Sequence, residues 1–362
     1  MSLRTKTRAV SYLDKIEQVV SAAKSRAVQA INVAMVFTYY EVGRIIVEEE
    51  QHGRKRAGYG VRVLRCVSRR LTERFGRGWS VENLTLMRRL FLVYSERPDS
   101  GRPVAGKGKS EAPKIVNGVY EIEGRYPFRL SWSHYLVLMR IENPDERQFY
   151  EIEAVENGWS LDELKRQFKS SLYERLVLSK DRKGVLQLTR KGQVVKTPED
   201  VVKDPYVLEF LGLEDRERYS ETELEARIIE HVEQFMLEMG KGFICVGRQV
   251  RFTFQEKHFK VDLVFYNRIL RCFVLVDLKT GELTHGDVGQ MMMYVNYYDR
   301  RIRLAEENPT IGILLCADKD DAIVEMTLPQ TRKQIFASKY LTVLPDKETL
   351  RRLVRKQLSG GR

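Results

Sequence analysis

The stretch Phe273–Gly281, FVLVDLKTG, decides the fold. A short apolar run closed by glycine reads as a buried strand, yet Asp277 and Lys279 interrupt it. Alternate residues of a strand share a face, so Asp277 and Lys279 point one way while Val276 and Leu278 point the other. The preceding run, His258–Tyr266 (HFKVDLVFY), is broken by Asp262 in the same manner. The turn Asn267-Arg268-Ile269 is short enough to make the two runs antiparallel neighbours, and counting back from it places Asp262 near Asp277. Two carboxylates and a lysine at the end of a buried sheet are costly unless something uses their charge. As a mere buried ion pair the trio would leave its second carboxylate unpaired. A divalent cation resolves this, because magnesium takes one or two carboxylates together with phosphate oxygens and water. A lysine beside it would orient or deprotonate an attacking water.

Working outward, a helix is expected from about Thr222 to Met239, with Leu224, Ile228, Phe235 and Met239 on its core face, ended by Gly240 and Gly242. Three strand-like runs follow (Phe243–Phe254, His258–Tyr266, Leu270–Leu278), then a helix over Asp287–Tyr298 and a buried run over Thr310–Cys316. The order is αβββαβ. Gly240 and Gly242 make no phosphate loop, since the Lys-Ser/Thr that would follow is absent.

Before about residue 179 the pattern is helical. Ile16, Val19, Val20, Ala23, Ala27, Ile31 and Ala34 recur at helical spacing, predicting one long helix or two in series from Ser11 to about Glu49. A second helix is expected over Tyr59–Phe75 and a third after Ser80. The segments GWSVENL (78–84) and GWSLDEL (158–164) repeat each other. Serine as N-cap puts Glu163 at the third helical position, a capping box, and pairs Trp159 with Leu164 and Trp79 with Leu84 as hydrophobic staples. The helix over 59–75, the GRGWS turn and the next helix form a candidate helix-turn-helix, with Arg69, Arg70, Arg74, Arg88 and Arg89 as candidate DNA contacts. Further helices are expected around 133–139, 146–156 and 161–176. Residues 98–118 read as a mobile Pro/Gly/Lys loop, and 179–220 as turns and short pieces.

The net charge of +12 lies entirely in the first 200 residues, which hold 37 Lys and Arg against 25 Asp and Glu. Within 54–97 there are 12 basic and 3 acidic residues, a patch suited to a polyanion. No apolar run reaches the roughly 18 residues of a membrane span, and no signal peptide is evident, so a cytoplasmic address with no membrane partner is expected. Cys66, Cys245, Cys272 and Cys316 lack metal-ligand spacing and are read as small buried apolar residues.

The acid on one strand, the acid-x-Lys on the next and the αβββαβ order resemble the PD-(D/E)xK nuclease superfamily. Asp262 matches the first acid, with Val261 where that superfamily usually has proline, and Asp277 and Lys279 match the acid-x-Lys. More narrowly, GKGFICVGRQ, KVDLVFYNRILRCFVLVDLKTG, GQMMMYVNYYD, EVGRIIVEEEQHG, AGYGVRVL, FGRGWSVENLTLMRRL and LSWSHY resemble the bacterial YhcG-like family across nearly the whole chain. The resemblance implies an α+β/α two-domain protein: an all-helical N-terminal domain (1–178), a linker (179–220) and a restriction-endonuclease-like αβββαβ core (221–362). It implies a Mg2+-dependent DNA endonuclease, with Mn2+ as an alternative ion, in which Asp262, Asp277 and Glu225 hold metal. Lys279 and Gln290 would complete the catalytic set, with Glu223 as the next acid after Glu225. Gln249 is a further cleft candidate, although no register places it. The family usually carries glutamate at the position of Asp277, so the shorter side chain would draw the metal about one methylene closer to the backbone. Partner proteins from a restriction or defence system follow from the same resemblance, and a homodimer is expected because one active site cuts one strand and the long N-terminal helices can pair. The alternatives are an inactive nucleic-acid-binding or scaffold protein with a nuclease fold, and a nuclease acting on RNA.

Overall fold

The computed structural model describes residues 12–52, 59–95, 115–116, 119–120, 128–178, 182–213, 220–318 and 334–359. Two compact units divide at Arg147/Gln148, inside the helix Pro144–Glu156.

The first unit is built on α1 (Tyr12–His52), α2 (Tyr59–Phe75), α3 (Val81–Tyr94) and α4 (Trp132–Leu138), with a short antiparallel pair, β1 (Ile115–Val116) and β2 (Val119–Tyr120). The expected loop 98–118 lies outside the described residues apart from β1. Ile46, Leu84 and Met87 form a core joined by Tyr39, Val42, Leu64, Val67, Leu71, Trp79 and Trp132. Helices α1 and α3 meet at Gly43, where a Cβ would stand 2.2 Å from the Met87 carbonyl oxygen. Only glycine permits that approach. Contrary to the sequence expectation, Ala30–Gln51 within α1 is long and apolar enough, by length and composition, to cross a membrane. Here Val36, Ile46 and Val47 are buried, while Arg44 bridges Glu41 and Glu48 at 2.8 Å each, the two-sided pattern of a helix packed on a protein core.

The second unit holds α5 (Pro144–Glu156) through most of its length, α6 (Leu161–Lys169), α7 (Leu172–Leu178), α8 (Arg182–Lys191), β3 (Tyr206–Val207), α9 (Glu221–Glu230) and α10 (Val232–Met239). Then come β4 (Phe243–Phe254), β5 (Lys257–Asn267), β6 (Cys272–Glu282), α11 (His285–Arg301), β7 (Ile311–Asp318), β8 (Ile335–Leu341) and α12 (Lys347–Ser359). The mixed sheet has the order β3-β8-β7-β6-β5-β4. Strands β4, β5 and β6 are antiparallel neighbours; β6, β7, β8 and β3 run parallel. One face packs on Leu224, Ile228, Phe235 and Met239 of α9 and α10, and the other on Val288, Met291, Tyr294, Val295 and Tyr298 of α11. The αβββαβ order is present, extended by β8 and β3 at the far edge.

Four expectations need correction. The helix read as continuous over 222–239 breaks at His231, whose φ of −112° and ψ of 33° are not helical. Ser160 caps α6 by accepting from the Glu163 amide, but the reciprocal half of the capping box is missing, because the Glu163 carboxylate accepts from Arg166 at 3.0 Å and Gln167 at 2.7 Å. Cys66 and Cys245 are exposed rather than buried. The segment 179–220 is no simple linker, for Val201, Tyr206, Leu208 and Leu211 are buried in the core beneath the sheet, and Tyr206 and Val207 pair with β8. Glu238, fully buried on α10, ties this segment down. It receives Arg175 at 2.8 Å, Arg166 at 3.2 Å and the Val207 amide at 3.0 Å, and its carbonyl accepts from Lys203. Against the opposing effect of burial, the charges of Arg175, Lys203 and Arg166 hold the Glu238 carboxyl down at about 2.

Removing one partner of a buried ionic cluster strands the others. Glu238→Ala is therefore expected to lose about 3–5 kcal/mol, read as a lowered urea midpoint, whereas Glu233→Ala on the same helix changes it little.

Candidate active site

The last paired residues on the outer side of β5 and β6 are Leu263 and Val276, so Asp262 and Asp277 face each other one step further on. Asp262 Oδ2 accepts from the Leu278 amide at 2.9 Å, which fixes its carboxylate against β6. Asp277 is 2% exposed. Its Oδ2 lies 3.0 Å from Lys279 Nζ yet makes no hydrogen bond. Burial first, and the neighbouring Asp262 charge second, push the Asp277 carboxyl up to about 7, with Lys279 pulling the other way. Lys279 also stands 3.6 Å from Asp287 Oδ1 and 3.7 Å from Glu221 Oε2. Burial works to lower its ammonium, but the carboxylates of Asp277, Glu221 and Asp287 outweigh that and hold it above its ordinary value.

Each neighbour reaches the site by local chemistry. Asp287 is fixed in the first turn of α11 by a reciprocal capping box with Thr284. Glu225, 8% exposed on α9, accepts from Gln249 Nε2, and the same amide reaches Asp262 Oδ1 at 3.4 Å. Burial raises the Glu225 carboxyl, the Gln249 hydrogen bond lowers it and Asp262 raises it further. Gln249 takes a φ of 50°, a left-handed conformation that non-glycine residues seldom adopt and that clusters at functional sites. Gln290 lies inside α11 rather than at its start; its amide donates to Tyr294 Oη, which donates to the Lys260 carbonyl at 2.8 Å. Of these, Glu225, Gln249, Asp262, Asp277, Lys279 and Gln290 line one open cleft of about 610 Å³, together with His258, Phe259 and Met293.

The structure thus brings together Asp262, Asp277, Lys279, Glu225, Gln249 and Gln290. Glu223 is exposed and outside the cleft lining. Asp287 and Glu221 are additions; the Thr284-x-x-Asp287 capping pattern was the available signal for the first. Among the described residues, no group of three or more His, Cys, Asp or Glu side chains is already gathered tightly enough to hold a metal ion. The residues nevertheless suit a hard divalent cation. The donors are carboxylate oxygens, one buried oxygen lacks a hydrogen bond, and two adjacent acids lack a full counter-charge, which is the two-carboxylate set magnesium uses with water and phosphate.

In the first unit, Arg69, Arg70 and Arg74 are exposed on α2. Arg88 and Arg89 are committed within the unit: Arg88 pairs with Glu50 at 2.7 Å, and Arg89 donates to the Met139 carbonyl at 2.9 Å.

Residues 199–357 match the YhcG PDDEXK nuclease domain and residues 15–175 the DUF1016 N-terminal domain. The chain is 38% identical over 352 residues to a protein of Escherichia coli (strain K12) named "Putative nuclease YhcG", covering 95% of this chain and 93% of that one. The chain belongs to the YhcG family. Its second unit therefore carries a PDDEXK-type nuclease domain. Among solved structures, a repair endonuclease from Pyrococcus abyssi and EndoMS in apo form each overlap 36% of this chain, and 50% and 49% of theirs, at 17% identity and a TM-score of 0.24. At that score the overlap carries no argument. Membership of the YhcG family rests on the sequence matches alone.

A carboxyl whose pKa is higher folded than unfolded binds more protons in the fold, so its contribution to stability falls as pH rises from 3.8 towards about 7. Asp277→Asn is accordingly expected to raise the melting temperature of the metal-free protein at pH 8 by about 2–4 °C, and to give no gain at pH 4. Magnesium should raise the melting temperature of the unaltered protein at pH 8 and leave that of the variant unchanged.

Proposed function

We propose that this protein is a divalent-metal-dependent nuclease that hydrolyses phosphodiester bonds of DNA. The observation that carries the reading is the buried Asp277 carboxylate, set beside Asp262 with its Oδ2 facing the Lys279 ammonium at 3.0 Å. Asp262 and Asp277 would hold the ion, with magnesium preferred for an all-oxygen donor set and manganese as a substitute. When bound, such an ion supplies Lewis-acid polarisation of the scissile phosphate.

The remaining chemistry belongs to the chain. Lys279, surrounded by three carboxylates, keeps its proton, so it serves as a hydrogen-bond donor and positive charge for the phosphate oxygens rather than as a base. Gln249 holds the Asp262 and Glu225 carboxylates in place, and Glu225, raised by burial, is suited to accept a proton from water. Exposed Arg69, Arg70 and Arg74 on α2 support a role for the basic helical domain in holding the phosphate backbone, which positions a duplex without specifying sequence.

One such site cuts one strand, so double-strand cleavage would take two copies. Exposed Ile16, Val19, Val20, Val28 and Ile31 on α1 support a homodimer. A cytoplasmic setting and partner proteins of a restriction or defence system complete the reading.

The test is incubation of supercoiled and linear DNA with the full chain, in magnesium or manganese against chelator. Cutting is expected only with metal, and both Lys279→Ala and Asp262→Asn should reduce it by about 10²–10⁴-fold. Metal-independent cutting, or cutting that survives Lys279→Ala, would overturn the mechanism.

A further inference from the structure

The edge strand of the sheet, β4, forms a hairpin with β5 that carries the active-site face beyond the carboxylates. In this register Arg251 pairs with Lys260 and Thr253 with His258, while Gln249 comes level with Asp262. Residues two apart on a strand share a face. Arg251 and Thr253 on β4 therefore stand on one face with their cross-strand partners Lys260 and His258 on β5, and of these Lys260 and His258 reach the cleft that holds the acids.

Two features of this surface need a cause. Arg251 and Lys260 are direct cross-strand partners of like charge, an arrangement that destabilises a hairpin. Both are exposed, and neither lies within ion-pair distance of a carboxylate among the described residues; the Lys260 charge is felt at Glu225. The acids on the hairpin itself are Glu256, exposed in its turn, and the candidate ligand Asp262, two residues along β5 from Lys260. In addition, His258 and Lys260 line the same cleft as Asp262, Asp277 and Lys279, and His258 Nδ1 is steadied by the Thr253 hydroxyl at 2.9 Å. At a strand rise of about 3.4 Å per residue, Lys260 and His258 stand roughly 7 and 14 Å along β5 from Asp262. That span equals about four base-pair rises of duplex.

We propose that the β4–β5 hairpin grips the nucleic acid within the catalytic unit. Arg251, Lys260 and His258 form a ladder that takes the phosphodiester backbone and leads it to Asp262 and Asp277. The proposal rests on the nuclease reading of the cleft. It places a phosphate-binding element in the half of the sequence whose net charge is zero, separate from the arginines of α2. Repulsion between Arg251 and Lys260 is then relieved only when phosphate lies over them.

The experiment measures binding of the full chain to fluorescently labelled duplex DNA, and in a second arm to RNA of the same sequence, by anisotropy in chelator over a range of salt. Lys260→Gln and Arg251→Glu are each expected to weaken binding about tenfold and to lower the slope of log K against log salt by about one. Arg251→Glu should at the same time raise the melting temperature of the free protein, because it turns a repelling pair into an attracting one. Losses in the DNA arm alone, or in the RNA arm alone, identify the backbone that the ladder takes.

Unchanged affinity and slope in both variants would overturn the proposal, as would an unaltered protein that binds neither nucleic acid. Because binding is read without metal, the two ideas fail separately. A protein that binds through the hairpin but never cuts would sink the nuclease reading and leave the ladder standing. A protein that cuts with both variants binding normally would sink the ladder alone.

Discussion

The antiparallel register that sets Leu263 opposite Val276 puts two carboxylates, Asp262 and Asp277, side by side one residue further on, and the site is organised around the cost of that placement. Strand β6 lies between β5 and β7 in the middle of the sheet, so Asp277 has little water to solvate it. Part of the charge is met by Lys279, part of Asp262 by the Leu278 amide and the Gln249 side chain. What remains unmet shows as a raised proton affinity at Asp277. A fold that keeps such a defect in its central strand gives up stability at a place where chemistry can use it.

The parts of this arrangement that follow a simple period were legible in the sequence. Alternation of apolar and polar residues exposed β5 and β6, the short Asn267 turn fixed their pairing, and the two acids could be counted into proximity. Glu225 followed from helical spacing around Leu224 and Ile228. Gln249 was different. Strand β4 changes register between Cys245 and Gly247, and a one-residue shift moves every later side chain to the other face. Counting along β4 from its start could not have shown that Gln249 looks at Asp262; only the pairing counted back from the turn at Phe254 and Lys257 brings the two level. Asp287 was hidden for another reason, since a capping aspartate looks the same in sequence whether or not a lysine from a neighbouring strand stands beside it.

The far side of the sheet was harder still. Residues 198–211 form two single-turn helices and a two-residue strand, pieces too short to show any period, and their proline and charge read as a connector. Their burial comes from partners distant in sequence, such as β8 and Glu238. The first unit shows the opposite case. Its helices were readable from spacing, but the use of its arginines was not, because Glu50 and the Met139 carbonyl that engage Arg88 and Arg89 lie 38 and 50 residues away.

The cluster around Glu238 bears on where such a chain can be divided. The match to the N-terminal family domain ends at residue 175 and the match to the nuclease domain begins at 199, as though the two were modules joined by a spacer. Yet Arg166 and Arg175, which neutralise Glu238 beneath the nuclease sheet, belong by sequence to the first of them. A cut between the matched regions would strip the Glu238 carboxylate of both its arginines and leave it only the Val207 amide and the charge of Lys203. The boundary between the two sequence matches therefore does not coincide with a boundary between independent sets of contacts.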